Sequence, residues 1–246
     1  MRIWIRILLS GALACLALAI GGAWLFKFGI ASFGISSTFV LIGFGLSVIF
    51  AVITIGTLFV SILRKQPYGL FTMFVAFVVC FCLAGYAAIL YNKASTNPVI
   101  YNVSTDLVDP PKFSQAILDL RGESSNPVEL DNRQKELHKG AYDDVQSLVL
   151  NSNKDSAYTM ALELVRERGW EIVAHDEQEG TIDAIATTFW FGYKDDVVVR
   201  VRGNAEEKSA TVDLHSVSRI GQTDLGKNAE RIRDFLADLT EKIDHN

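Results

Sequence analysis

Residues Phe39 to Leu63 read FVLIGFGLSVIFAVITIGTLFVSIL, a run without a single charge. At 1.5 Å per residue, a helix of that length covers the roughly 30 Å hydrocarbon core of a bilayer. Two comparable runs flank it, Ile7 to Phe26 and Leu70 to Tyr91. Inside lipid a backbone N–H or C=O finds no water, so a spanning segment must be a helix or part of a closed barrel. Uninterrupted apolar runs without two-residue alternation select helices. Residues 1–95 are therefore expected to form a membrane domain of three transmembrane helices. Lys27 to Thr38 and Arg64 to Gly69, the second with two cations and Pro67, are its connections.

Charge divides the chain at the same place. No Asp or Glu precedes Asp106, and the opening stretch holds only Arg2, Arg6, Lys27, Arg64, Lys65 and Lys93, a net +6. The remaining 17 basic and 28 acidic residues leave the rest at −11. Such asymmetry excludes a single soluble globule, a disordered chain and a basic nucleic-acid binder. Arg2 and Arg6 precede the first helix and Arg64 and Lys65 follow the second, against Lys27 and Lys93 on the other side. The positive-inside bias puts the N-terminus in the cytoplasm and everything after Tyr91 beyond the membrane. The expected location is a bacterial inner membrane, multi-pass, with residues 96–246 as a periplasmic domain. Met1 to Ala23 also has signal-peptide features, and Ala14-Cys15 a lipoprotein-like site; cleavage would leave two spans and the same domain location.

Cys15, Cys80 and Cys82 all fall inside the apolar runs, so the acidic half can build neither a disulfide framework nor a cysteine metal site. Gly11, Gly21, Gly22, Gly43 and Gly45 would let helices approach closely. No ionisable residue lies within a span, which leaves an ion or proton pathway nothing to run on.

Beyond a polar tether from Asn92 to Leu107, Asp109-Pro110-Pro111 reads as a helix start, with Phe113, Ala116, Ile117 and Leu120 at helical spacing. Gly122 to Lys139 reads as a surface loop. Asn153 to Arg168 is a capped helix with Ala157, Ala161, Leu164 and Val165 on one side. Four strands follow, Trp170 to Ala174, Thr181 to Trp190, Asp196 to Arg202 and Ala210 to Arg219. Thr223 or Asp224 then caps a last helix striped by Leu225, Ala229, Ile232, Phe235, Leu236, Leu239 and Ile243. The fold class is α+β: three transmembrane helices, then a helix, a four-stranded antiparallel sheet and a helix.

Alternation along the strands separates two faces. Ile182, Ala184, Ala186, Thr188, Trp190, Val197, Val199, Val201, Val212 and Leu214 form one, which the helices can bury. The other carries Asp183, Thr187, Val198, Arg200, Arg202, Asp213, His215 and Arg219 and reads as a wet polar surface. Asp183, Arg200, Asp213 and His215 could line a ligand site there, or pair as ions across the sheet. A second candidate is the loop from the last strand to the last helix, with Ser218, Arg219, Asp224 and Asn228. Its N–H groups could hold an anion, but Asp224 as cap would occupy them, and Arg219 would then pair with Asp224. His215, Ser216 or Ser218 and Asp224 are the residue types of a nucleophilic triad without its glycine elbow. His138, His175, His215 and His245 lack metal-ligand spacing, so neither a metal nor a cofactor is expected. Trp190, Phe191 and Tyr193 at a strand end could touch lipid headgroups or finish the core.

Several stretches carry a resemblance. Asn97-Pro98, Ser104 to Asp106, Pro110 to Phe113, Gly169-Trp170, Thr187 to Val197 and above all Ser216 to Ile232 resemble the family known as domain of unknown function 1499, over about Asn97 to Leu239. The resemblance implies a bacterial-type, often membrane-tethered domain without an established activity. This chain has His215 where that family usually has Arg. The sequence thus favours a non-enzymatic binding or accessory module of the cell envelope, its partners the bilayer and an envelope protein or small amphiphilic ligand. The alternative is a hydrolase or transferase on a periplasmic or lipid-linked substrate, with His215 as base.

Overall fold

The computed structural model describes residues 2–66, 68–204 and 209–244. Pro67 and His245 lie outside them. Three helices come first, α1 (Arg2–Lys27), α2 (Phe33–Leu63) and α3 (Leu70–Thr96), each long and apolar enough to cross a membrane. Small residues set the approach of α1 to α2: a Cβ added at Gly43 would stand 2.9 Å from the Ala19 nitrogen and the Cys15 carbonyl oxygen, and one at Gly22 2.8 Å from the Ser36 carbonyl oxygen. Gly21 and Gly45 face open space, so only part of the expected glycine seam is used. Ala12 of α1 and Ala76 and Cys80 of α3 form a fully buried cluster.

By their contacts, residues 1–92 together with Phe189–Gly192 form one compact unit, and residues 93–188 with 193–246 the other. The second unit contains β1 (Asn102–Ser104), α4 (Gln115–Asp119), α5 (Asn132–Ala141), β2 (Leu148–Leu150), α6 (Lys154–Glu167), β3 (Glu171–Asp176), β4 (Thr181–Thr187), β5 (Lys194–Asn204), β6 (Ser209–Ser218) and α7 (Lys227–Asp244). The sheet runs β1-β6-β5-β4-β3, and β2 pairs with β6 as well. All pairs are antiparallel. The α+β class holds, but the sheet has six strands rather than four. The two extra strands are three residues each and share one side of β6, at Val217 to His215 and at Val212 to Ala210.

The first face is the apolar core. Ile182, Ala184, Val197, Val199, Val201, Val212 and Leu214 are buried with Ala157, Ala161 and Val165 of α6 and Ala229, Ile232, Phe235 and Leu239 of α7. Helical and two-residue spacings put every one of these on the packed side. Trp170 stacks on Phe235 with ring centroids 5.6 Å apart.

Three local readings are corrected. The double proline does not start a helix, because a residue before proline is pushed to extended backbone. The helix begins later, at Gln115 after Ser114. The supposed loop Gly122 to Lys139 contains most of α5, whose N-cap Asp131 accepts the Gln134 N–H at 2.7 Å. The strand expected to reach Trp190 stops at Thr187, and of the aromatic residues placed at its end Trp190 is 52% exposed while Phe191 and Tyr193 are half-buried.

Candidate functional site

The largest correction concerns the second face of the sheet. It is not wet. Asp183, Asp196, Asp213 and His215 are buried, as are Ile185, Val198 and Val217 between them. Antiparallel register places Asp183, Val198 and His215 in one row and Arg200 and Asp213 in the next. What covers them is the strap from Thr105 to Leu130, held down by polar contacts along its length.

At one end of the strap, Asp213 accepts from Arg200 Nη2 at 3.0 Å and Arg202 Nη2 at 2.8 Å, from Thr105 Oγ1 at 3.2 Å, and from Ser147. Arg200 also donates to the Asp109 carboxylate at 2.9 Å and the Asp109 carbonyl at 2.8 Å. A buried carboxylate is tolerable only when so fully paired. In the middle, the Ser114 N–H donates to Asp183 at 3.2 Å. Burial pushes the Asp183 carboxyl above its usual range, the Ser114 bond pulling it partly back. At the other end, Asp196 holds two guanidinium groups, Arg121 from the strap and Arg219, whose Nε and Nη2 donate at 3.0 and 2.7 Å. Arg219 Nη1 reaches the Leu120 carbonyl at 2.9 Å, and Asn126 Nδ2 reaches the carbonyls of Ser218 at 3.0 Å and Gly221 at 2.8 Å. Arg219 is thus paired with Asp196 and not with Asp224.

His215 sits between these anchors. Its Nδ1 lies 2.8 Å from the Pro111 carbonyl and its Nε2 2.7 Å from Asn102 Oδ1, and the Phe113 ring is 4.9 Å away. Burial lowers its pKa to about 4; the Pro111 carbonyl opposes the shift and Arg121 adds to it. Both partners are acceptors, since the Asn102 amide nitrogen is committed to the Val128 carbonyl at 2.9 Å. A neutral imidazole has one N–H, so one of the two contacts lacks a proton, and only the imidazolium would satisfy both. Above the ring opens a cleft of about 380 Å³ lined by Pro110, Pro111, Phe113, Leu118, Val128 and Leu130, with Lys112, Glu129 and Lys135 also on its wall.

The eight residues singled out from the sequence do not form one site. Alternation along β6 puts Asp213, His215 and Arg219 on the strap side and Ser216 and Ser218 on the helix side. There Ser216 donates to Asn228 Oδ1 at 2.7 Å, and Asn228 Nδ2 donates to Ser218 Oγ and the Tyr101 carbonyl, each at 3.0 Å. Arg231 joins them, donating to Ser216 at 3.0 Å and to Asp195 at 2.5 Å. Asp224 accepts the N–H groups of Gly226 at 2.9 Å and Asn228 at 2.8 Å, so the start of α7 is already occupied by a carboxylate. The triad is not assembled, because His215 faces away from both serines. Arg121, Asn126, Asp195, Asp196 and Arg231 were missed. Adjacent acids at the start of a valine-rich strand were the available signal, since Asp195 and Asp196 must point to opposite faces and each needs a cation.

The fold and the polar interior define a membrane-associated chain with three potential spans and an α+β domain closed by a strap. A family model described as "Protein of unknown function (DUF1499)" matches residues 102–239, more than half of the chain. The chain belongs to that family, as the resemblance implied. No curated protein matches the chain.

Proposed function

We propose that this chain is an inner-membrane protein that displays a non-enzymatic binding domain in the periplasm, and that the domain takes an anionic amphiphile into the cleft above His215. The observation that carries the reading is the cleft itself. Its size falls within the roughly 300–1,000 Å³ usual for ligand pockets, its floor and sides are apolar, and two lysines are on its wall. The distribution of Lys and Arg around the spans supports the orientation. Asp183, Arg200, Asp213 and Arg219 are then positioning residues that hold the strap, and His215 is the one of the eight that faces the ligand.

An acidic headgroup would also resolve the imbalance at His215. With Lys112, Lys135, Glu129 and Arg121 as the surrounding charges, an arriving anion lets the ring take its second proton and donate to both Pro111 and Asn102. Affinity should therefore rise as pH falls from 7 toward 5. A dansylated undecanoic acid titrated into the full chain in detergent should bind saturably and lose most of its affinity in the Lys112→Glu, Lys135→Glu variant. Equal binding of an uncharged dansyl alcohol, or binding indifferent to the charge reversal, would contradict the reading. The hydrolase or transferase reading gains nothing from a His215 whose two nitrogens face a backbone carbonyl and an amide oxygen.

A further inference from the structure

The turn between β4 and β5 carries Thr188, Phe189, Trp190, Phe191, Gly192 and Tyr193. Its neck is fixed: the Thr188 N–H donates to the Tyr193 carbonyl at 2.9 Å, and the Tyr193 N–H donates to Thr188 Oγ1 at 2.9 Å. Gly192 supplies the left-handed backbone, with φ +67°, that turns the chain back. Beyond this neck Phe189 and Trp190 project with most of Phe189 and half of Trp190 exposed, their rings edge to face at 5.3 Å. The burial gained by covering the exposed part of this Phe-Trp pair is of the order of 25 cal/mol per Å². Lys194, exposed at the start of β5, stands beside it.

We infer that this hairpin tip inserts into the interfacial layer of the same bilayer that the three helices cross. Three observations select lipid as the occupant. The chain has three potential spans, and only five residues separate α3 from β1, so the domain is tethered where a membrane surface is always within reach. By their contacts Phe189–Gly192 group with the helices and not with the sheet they emerge from. The chemistry matches too: Trp and aromatic neighbours concentrate at the headgroup level, with a Lys able to extend toward phosphates. This anchor is independent of the cleft above His215 and stands or falls without it.

The test uses the full chain in vesicles of phosphatidylcholine and phosphatidylglycerol at about three to one, a ratio that keeps the surface anionic. Trp190→Cys in a background of Cys15→Ala, Cys80→Ala and Cys82→Ala is labelled with a nitrobenzoxadiazole dye; Val149→Cys on the outer strand β2 is the control. Lipids with a nitroxide near the headgroup should quench the dye at position 190 at least about twofold more than at 149, as expected of a residue at the interface. Equal quenching at the two positions overturns the inference. Should the cysteine-free background fold poorly, intrinsic fluorescence serves instead. Trp190→Phe should lower the amplitude quenched by brominated lipid, and an unchanged amplitude overturns the proposal equally.

Discussion

The two faces of the sheet are both closed, but by opposite means. On one, α6 and α7 lay aliphatic and aromatic side chains against seven valine, isoleucine, leucine and alanine positions, an interior made mainly by apolar area. On the other, an irregular strap is held by buried carboxylates, each of which gathers donors from segments far apart in the chain: Asp213 from Arg200, Arg202, Thr105 and Ser147, Asp196 from Arg121 and Arg219. The first face is mostly apolar contact, with one polar network, Ser216 and Asn228 with Arg231 and Asp195, at its end. The second depends on every partner being present, because an orphaned buried charge costs more than its pair contributes. It is also the face where the backbone leaves an opening, and there the cleft above His215 lies.

The contrast can be broken most sharply at one residue on each face. Phe235→Ala should cost about 3–5 kcal/mol from cavity formation, and Asp196→Ala about 3–5 kcal/mol from two stranded guanidinium groups. Urea denaturation of the detergent-solubilised chain reads both. The signature of the polar face is rescue: Arg121→Met, Asp196→Leu and Arg219→Met together should recover most of the loss, since apolar replacement of a whole buried ion cluster is often neutral. A triple variant less stable than Asp196→Ala would remove the distinction.

A smaller effect follows from acid. His215, and His138, whose pKa burial also lowers, are neutral in the folded domain. In the unfolded chain they take protons near pH 6.5. Their folded values are depressed, so the stability they contribute is present above that pH and is lost as pH falls below it, for His215 toward about 4. The slope should approach about 1.4 kcal/mol per pH unit for each histidine that titrates. Melting temperature followed across this window in wild type and His215→Asn should show a shallower decline in the variant. Identical curves would mean that His215 is not the group responsible.

The smallest expected change has the opposite sign. Asp183 is raised by burial, so the folded state favours its protonated form, and stability falls as pH climbs from the unfolded carboxyl value through the folded one. Asp183→Asn keeps an acceptor for the Ser114 N–H and removes the charge, and should raise the melting temperature slightly at pH 7 and not at pH 3. A drop at pH 7 would show that the ionised carboxylate contributes something the contacts do not reveal.

Periodicity made the helix-covered face legible in the sequence: the two-residue pattern from Ile182 to Ala186 and the helical stripes of α6 and α7 specify it without knowledge of any partner. The three apolar runs were legible for the same reason. The strap was not, because its residues have no period and their partners are remote; Arg121 and Asp196 are 75 positions apart. Read strand by strand, alternating Asp, Arg and His describe a wet surface, and only the covering segment turns them into an interior. Helix α5 lacked an apolar stripe, although Asp131 with Gln134 was a readable capping pair. Three-residue strands such as β1 and β2 carry too few side chains to alternate visibly. Of the candidate site, His215 was found, but the cleft walls at Leu118, Val128 and Leu130 lay in stretches that read as helix and loop.

Hydrogen–deuterium exchange on the full chain in detergent tests the closed polar face most directly. The N–H groups of Ser114 and Asn126, bonded to Asp183 and to the Arg219 carbonyl, should be protected to a degree comparable with β4 and β5. Exchange there at the rate of an open surface loop, with the sheet still protected, would mean that the strap is not seated and that the second face meets water after all.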